Sequence, residues 1–349
     1  MRDFRPGVVS SADGSQLYVT HSGTHEVSVV DAAGMMEKIL SLPPTKEDLN
    51  TSGYDANGSR SSATGEDVPN DLAFLVGLRQ RVKLEGNGPR GLAVVGDTLY
   101  VAEYFTDTVA AVDLVAVPKP KVVSIPVGPT PQLTIERQGE IHFNDADLCF
   151  QHWQSCASCH PDARMDALNW DLMNDGMGNP KNVKSMLYAL QTPPAMISGV
   201  RADGETAVRA GIRHIQFAVR PEEDSQAIDA YLYALRPVPS PYLVNGELSE
   251  SALRGRALFE SDEIGCARCH PAPFYTDMEM HDVQSRGEYD RRDTFDTPTL
   301  VEVWRTYPYL HDGRYVTMEE LLDEGNHGEA ASKLTEDQLN DLAEYALSL

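Results

Sequence analysis

Over roughly the first 115 residues, apolar and polar positions alternate with a period of two, the pattern of strands buried on one face. Leu17-Tyr-Val-Thr-His-Ser-Gly-Thr-His-Glu-Val-Ser-Val-Val-Asp31 aligns without gaps on Leu99-Tyr-Val-Ala-Glu-Tyr-Phe-Thr-Asp-Thr-Val-Ala-Ala-Val-Asp113, and seven positions coincide. Each copy follows a turn containing glycine, Asp13-Gly14 or Gly96-Asp97, and reads as two short strands joined as a hairpin. Further along the period becomes helical. Ala227 to Leu235 and Leu339 to Leu347 each place apolar residues on one helix face. These two segments close a second duplication, between 139–237 and 255–349, whose copies open with Gly139-x-x-x-Phe143 and Gly255-x-x-x-Phe259. Pro118, Pro120, Pro126, Pro129 and Pro131 crowd residues 116–138, which therefore read as a linker, since neither a helix nor a central strand tolerates them. Pro237-Val-Pro-Ser-Pro241 is a stiff connector between the two later copies. The expected division is 1–115, 116–138, 139–241 and 242–349.

The β repeats lie 82 residues apart, about twice the ~40-residue period of a propeller blade. That spacing predicts a third, poorly matched blade between them, carrying a loop rich in Ser, Gly, Asn and Asp at 45–70. These segments resemble the YVTN type of β-propeller repeat over residues 5–115. Propellers close with typically four to eight blades, so a ring is expected to need blades missing from this sequence or supplied by another chain. An ordinary antiparallel sandwich is the alternative. Neither version gathers titratable residues, and the region is assigned a docking or structural role.

With 29 Lys and Arg against 53 Asp and Glu, the net charge of −24 repels phosphate backbones and anionic lipid, which excludes nucleic acid and membrane surfaces as partners. No apolar run approaches the ~20 residues of a membrane helix, so no membrane insertion is expected. The first twenty residues carry Arg2, Asp3 and Arg5 and no apolar segment, so they are not an export signal.

Four of the five cysteines fall in two Cys-x-x-Cys-His motifs, Cys156-Ala-Ser-Cys159-His160 and Cys266-Ala-Arg-Cys269-His270. Positions i, i+3 and i+4 share a helix face, so two thiols can meet the haem vinyl groups while the following imidazole reaches the iron. A zinc site would need the two pairs to converge from 110 residues apart, and a thioredoxin-like pair would need a βαβ setting that the pattern lacks. Two c-type haems are expected, with His160 and His270 as the iron ligands. Covalent haem is attached outside the cytoplasm in bacteria, so a periplasmic or other extracytoplasmic location follows, the signal being removed or lying outside this sequence. Cys149 reads as a small buried hydrophobe.

The second motif continues into Phe274-Tyr-Thr-Asp277, Asp296-Thr-Pro-Thr-Leu300 and Thr306-Tyr-Pro-Tyr-Leu-His-Asp-Gly313. This half resembles the di-haem cytochrome c peroxidase and MauG family, with Gly178 to Ser185 and Gly199-Val-Arg201 a divergent version in the first half. The resemblance implies a multidomain chain, an all-β propeller-like fragment followed by two mainly α-helical cytochrome c-like domains. It places a distal Met or Tyr where this chain has Gly325, beside Asn326 and His327. His327 is taken as that distal ligand, with Met280 and Met318 behind it, and an imidazole there lowers the reduction potential relative to a thioether. For the first haem the distal candidates are Met196 and His214. Family analogy gives His311 a haem propionate or an interdomain contact. It also implies a Ca²⁺ held by the Asn182 side chain and the carbonyls of Thr306 and Pro308. Where the peroxidases carry Trp, Gln and Glu on the peroxide side of the first haem, this chain has Ser198, Val208 and Ala218, none suited to general acid–base work. The leading expectation is electron transfer with a redox partner protein, and the alternative is a peroxidase or MauG-like oxidase with one open haem. The acidic surface favours a basic partner and salt-sensitive docking.

Overall fold

The computed structural model describes residues 7–43, 62, 64–71, 73–116, 119–130, 132–173, 177–324, 327 and 333–349. The chain divides into two compact units, Met1–Gln132 and Leu133–Leu349. A β region precedes a helical one.

The first unit holds two four-stranded antiparallel sheets. One is formed in order by β1 (Val8–Ser10), β2 (Gln16–His21), β3 (Glu26–Asp31) and β4 (Arg79–Lys83). The other is formed by β5 (Pro89–Val95), β6 (Thr98–Glu103), β7 (Thr108–Asp113) and β8 (Lys121–Pro126). The sequence repeat is a repeat of register: Gln16 pairs with Asp31 and His21 with Glu26, as Thr98 pairs with Asp113 and Glu103 with Thr108. His25 and Asp107, at equivalent turn positions, both take a left-handed backbone (φ 56° and 53°). Alternate side chains of the two sheets, among them Tyr18, Val27, Val82, Leu99, Val101, Ala110 and Val112, form one apolar cluster.

The expected third blade is not found among the described residues. After β3 the chain enters helix α1 (Ala32–Leu40), whose first turn is capped by Asp31 accepting from the Gly34 amide at 2.9 Å. It returns as β4, which completes the first sheet beside β3 instead of opening a new one. Arg79-Gln-Arg-Val-Lys83 offers the core one apolar side chain, Val82, enough for an outer strand and too few for a sheet of its own. Most of the 45–70 loop lies outside the described residues.

The proline-rich stretch 116–138 is not wholly a linker. Lys121–Pro126 form β8, an edge strand whose last residue is a proline, a position that leaves no ladder bond unmade. Helix α2 begins at Ile135, capped by Thr134.

The second unit contains α2 (Ile135–Asn144), α3 (Cys156–Cys159), α4 (Gly204–His214), α5 (Glu222–Tyr233), α6 (Glu250–Phe259), α7 (Cys266–Cys269), α8 (Met318–Asp323) and α9 (Glu336–Leu347). Its duplication has a packing cause. Helix α2 crosses α5 at Gly139, where a Cβ would lie 1.8 Å from the Ala227 carbonyl oxygen; α6 crosses α9 at Gly255, where it would lie 1.9 Å from that of Asp341. Only glycine permits either approach. One turn on, Phe143 meets Tyr231 (ring centroids 5.4 Å) and Phe259 meets Tyr345 (5.2 Å). Each crossing anchors its own apolar cluster, Phe143, Ile228 and Leu232 in one and Phe259, Leu342 and Ala346 in the other. No helix among the described residues is long and apolar enough to cross a membrane.

Candidate functional site

Each Cys-x-x-Cys-His motif is a single helical turn followed by a histidine outside the helix. The His160 amide bonds the Cys156 carbonyl at 2.9 Å and the His270 amide the Cys266 carbonyl at 3.0 Å. Both histidines share one backbone conformation, φ/ψ −119°/62° and −117°/58°. Nδ1 of His160 lies 3.0 Å from the Arg164 carbonyl oxygen and Nδ1 of His270 lies 2.9 Å from that of Tyr275. A carbonyl can only accept, so each Nδ1 carries the proton and each Nε2 keeps its lone pair, the tautomer a metal ligand needs. Burial holds both imidazoles below the usual histidine pKa, hence neutral.

The two motifs open on different cavities. Cys156, Cys159 and His160 line one of about 210 Å³; Cys266, Cys269 and His270 line one of about 280 Å³. The pairs therefore do not converge on one zinc ion. Burial pushes the thiols up, to about 12 at Cys156 and about 11 at Cys159 and Cys266, against the thiolate that disulfide exchange requires. Residues 182–185, Ile197 and Thr299 border both cavities and form the wall between them. Cys149 is buried, its Sγ 3.5 Å from the Phe150 carbonyl oxygen.

His327 lines the second cavity, its ring 6.3 Å from that of His270 centroid to centroid. A metal–nitrogen bond of about 2 Å on each side, with the ring radii added, gives the same separation for two imidazoles on one iron. Burial, then the nearness of a second imidazole at His270, pushes His327 down to about 4, and its buried Nδ1 has no hydrogen-bond partner. A buried imidazole with an unpartnered Nδ1 near the motif histidine is one that could bind an iron held there. Gly325 and Asn326, beside it, lie outside the described residues. Met318 also lines this cavity. Met280 does not; its sulfur packs against Gly199.

In the first cavity Met196 is among the lining residues, at a left-handed corner (φ 70°) matched by Leu310 (φ 68°) 114 residues later. Antiparallel bridges Ala195–Arg201 and Tyr309–Tyr315 hold the two corners alike. His214 does not reach the cavity. It ends α4 exposed to solvent, because the buried face of that helix is spent on Gly204, Val208 and Ile212. Ser198 and Val208 line the first cavity and Ala218 does not.

Sequence reasoning missed the contacts that join the two halves. Arg164, whose carbonyl orients His160, donates from Nε and Nη2 to both oxygens of Glu302, at 2.6 and 2.8 Å, and both side chains are buried. The partners are 138 residues apart, and no local pattern marks either. Lys184 pairs with Asp296 across the same boundary. His311 is buried, stacked on Phe295 at 3.9 Å, with Nε2 bonded to Asp290 at 2.8 Å and its carbonyl accepting from the Asn182 amide at 2.7 Å. Asp290 in turn pairs with Lys181 of the first half at 2.8 Å. Burial acts to raise the Asp290 carboxyl, but Lys181, the Gly287 amide and His311 outweigh it and hold the group well below the usual carboxylate range. Asn182 Nδ2 donates to the Pro308 carbonyl oxygen, leaving its Oδ1 buried without a partner, and Thr306 borders the same cavity.

No family model matches the chain. The gamma subunit of hydrazine synthase from Kuenenia stuttgartiensis is 29% identical over 272 residues, 61% of this chain and 77% of the relative. The methylamine utilization protein MauG of Methylorubrum extorquens (strain AM1) is 26% identical over 242 residues, 53% of this chain and 66% of that protein. A solved structure of Kuenenia stuttgartiensis hydrazine synthase pressurised with xenon matches 66% of this chain and 100% of the matched chain, with a TM-score of 0.59 at 24% identity, a likeness of fold. With the two Cys-x-x-Cys-His turns, these relatives support a MauG and di-haem cytochrome c peroxidase-like family and a haem c-containing redox protein.

Proposed function

We propose that this chain is a periplasmic or otherwise extracytoplasmic di-haem c-type cytochrome that passes electrons between a donor and an acceptor protein. Cys156 and Cys159 would anchor one haem and Cys266 and Cys269 the other, and His160 and His270 would each offer a neutral Nε2 to its iron. Bound haem contributes reversible one-electron exchange at its iron. The protein's part is to fix the ligands and keep them neutral, through the two Nδ1–carbonyl bonds and burial. The single observation that carries the reading is the His270–His327 pair, two buried rings spaced so that both could bind an iron placed between them. Met196 is assigned to the distal side of the first site.

A peroxidase or MauG-like oxidase is the second reading. One feature favours it: His160 is the only histidine among the described residues lining the first cavity, so an iron there has no second imidazole. Against it, Ser198 and Val208 stand in that cavity where a base would be needed. Absorption and EPR spectra of the oxidised and half-reduced protein, with two covalent haems confirmed by mass, separate the readings. Two low-spin irons throughout are expected. A high-spin component that grows on half-reduction would give the enzyme reading the lead.

Asn182, whose Nδ2 meets the Pro308 carbonyl and whose buried Oδ1 has no partner, supports Ca²⁺ at the junction of the halves once the side-chain amide is turned to bring Oδ1 beside that carbonyl, with Thr306 contributing its own carbonyl. About one equivalent of calcium by elemental analysis, lost on Asn182→Ala, is the expected result; wild-type protein without calcium removes the site. The two sheets of the first unit are read as propeller blades, completed by further blades or by another chain, and as a docking element.

A further inference from the structure

The structure assigns a docking face to the first haem site, built from Phe150, Trp153, Phe217 and Val219, for a basic soluble electron-transfer protein. This rests on the electron-carrier reading and adds where the partner sits. Large apolar side chains are rarely left in water together, yet these four are 59%, 65%, 59% and 94% exposed. Trp153 and Phe217 adjoin, ring centroids 6.4 Å apart, although they come from segments 64 residues apart in sequence. Two bonds lock the segments together: the Phe150 amide to the Gln216 carbonyl at 2.9 Å, and the Gln154 side-chain amide to the Ile215 carbonyl at 2.9 Å. Gln151, His152 and Phe217 hold left-handed backbone (φ 62°, 55° and 51°), which costs an L residue free energy and is tolerated where surroundings impose it. The rings are displayed by a fixed scaffold.

The patch also adjoins the cofactor anchor. Gln216, buried next to Phe217, donates from Nε2 to Sγ of Cys156 at 3.2 Å, and Trp153 lies three residues before that cysteine. A protein seated on Trp153 and Phe217 is one residue away from the sulfur that bonds the haem.

Size and charge choose the occupant. The four side chains expose on the order of 500 Å², the scale of one side of a transient redox encounter and short of a stable dimer. A second copy would bring together two bodies of charge −24. Charges of both signs border the patch, Asp147 beside His152, Arg220 next to Val219, Glu222 paired with Arg209, and Glu223, so the long-range attraction comes from the net charge of the whole chain. A basic protein is attracted over distance by the net charge and held at contact by the aromatic face.

The test is stopped-flow electron exchange between the full-length holoprotein and a basic mono-haem mitochondrial-type cytochrome c, comparing wild type with Trp153→Ser/Phe217→Ser. The double variant is expected to lose at least tenfold in second-order rate. Its dependence on ionic strength, haem content, midpoint potentials and rate of reduction by dithionite should stay at wild-type values, and Trp153→Phe should keep most of the rate. An unchanged rate in the double variant overturns the docking face, and a wild type that exchanges no electrons with the basic cytochrome overturns the partner chemistry. A high-spin first haem that turns over peroxide would sink the carrier reading instead. The ratio of variant to wild-type rate would still decide the docking face, since a peroxidase also takes electrons from a donor.

Discussion

Replacing His327 with methionine is expected to raise the midpoint potential of the C-terminal haem by on the order of 0.1 V, and to leave that of the first haem in place. The imidazole is the stronger donor to ferric iron, so exchanging it for a thioether disfavours the oxidised state. Geometry makes the effect local. His327 faces His270 at 6.3 Å, and its Nδ1 has no protein partner, so no hydrogen-bond network is broken by the exchange. His327→Ala should go further and turn that iron high-spin, because Met318, also lining the cavity, is held in α8 by its burial among Leu321, Leu322 and the α9 face. A redox titration resolving two transitions is the measurement. If both transitions survive His327→Met unmoved and the spectrum stays low-spin, His327 is not the ligand and Met318 becomes the residue to change next.

How much of this was legible in the sequence depends on the range of the interaction. The hairpin repeats, the two Cys-x-x-Cys-His turns and the helices ending each half were readable, because a hairpin, a helical turn and an amphipathic face are each set by residues within one short window. Gly139 and Gly255 were visible as a shared Gly-x-x-x-Phe, but their purpose, letting α2 and α6 lie against the backbones of α5 and α9, needed the crossing helices. The third blade failed because spacing alone was used: β4 carries one apolar residue and joins an existing sheet. His214 failed because proximity in sequence to Met196 says nothing about which face of α4 it occupies. His327 follows from family resemblance alone, since no local pattern marks it, and the structure places its ring 6.3 Å from that of His270. The ion pairs Arg164–Glu302 and Lys184–Asp296 had no signature, since a charge 112 or 138 residues from its partner looks like any surface charge until the fold buries both.

Glu302→Gln is expected to cost about 3–5 kcal/mol of stability, the penalty for leaving a buried charge without its counter-ion. The Arg164 guanidinium cannot shed its proton to escape that penalty. Its other acceptors are the carbonyls of Asp162 and Arg236, both at 3.2 Å, which are dipoles and do not neutralise it. Glu302 also accepts from the Val238 amide at 2.6 Å, a bond the remaining Gln oxygen can keep, so the loss falls on the Arg164 pair. Arg164→Met/Glu302→Leu, which removes both charges and keeps apolar volume, should recover most of the loss, and urea unfolding of wild type, Arg164→Met, Glu302→Leu and this double variant forms the cycle that measures the coupling. A consequence beyond stability follows from the backbone. The Arg164 carbonyl accepts the His160 Nδ1 proton at 3.0 Å, so freeing the side chain lets the acceptor move and alters how His160 presents Nε2. The first haem's spectrum should therefore change in Glu302→Gln while that of the C-terminal haem, oriented through Tyr275, does not. A stability loss with both spectra unchanged would confine the pair to joining the halves; a change at the first haem alone makes a residue of the second half a positioning group for the ligand of the first.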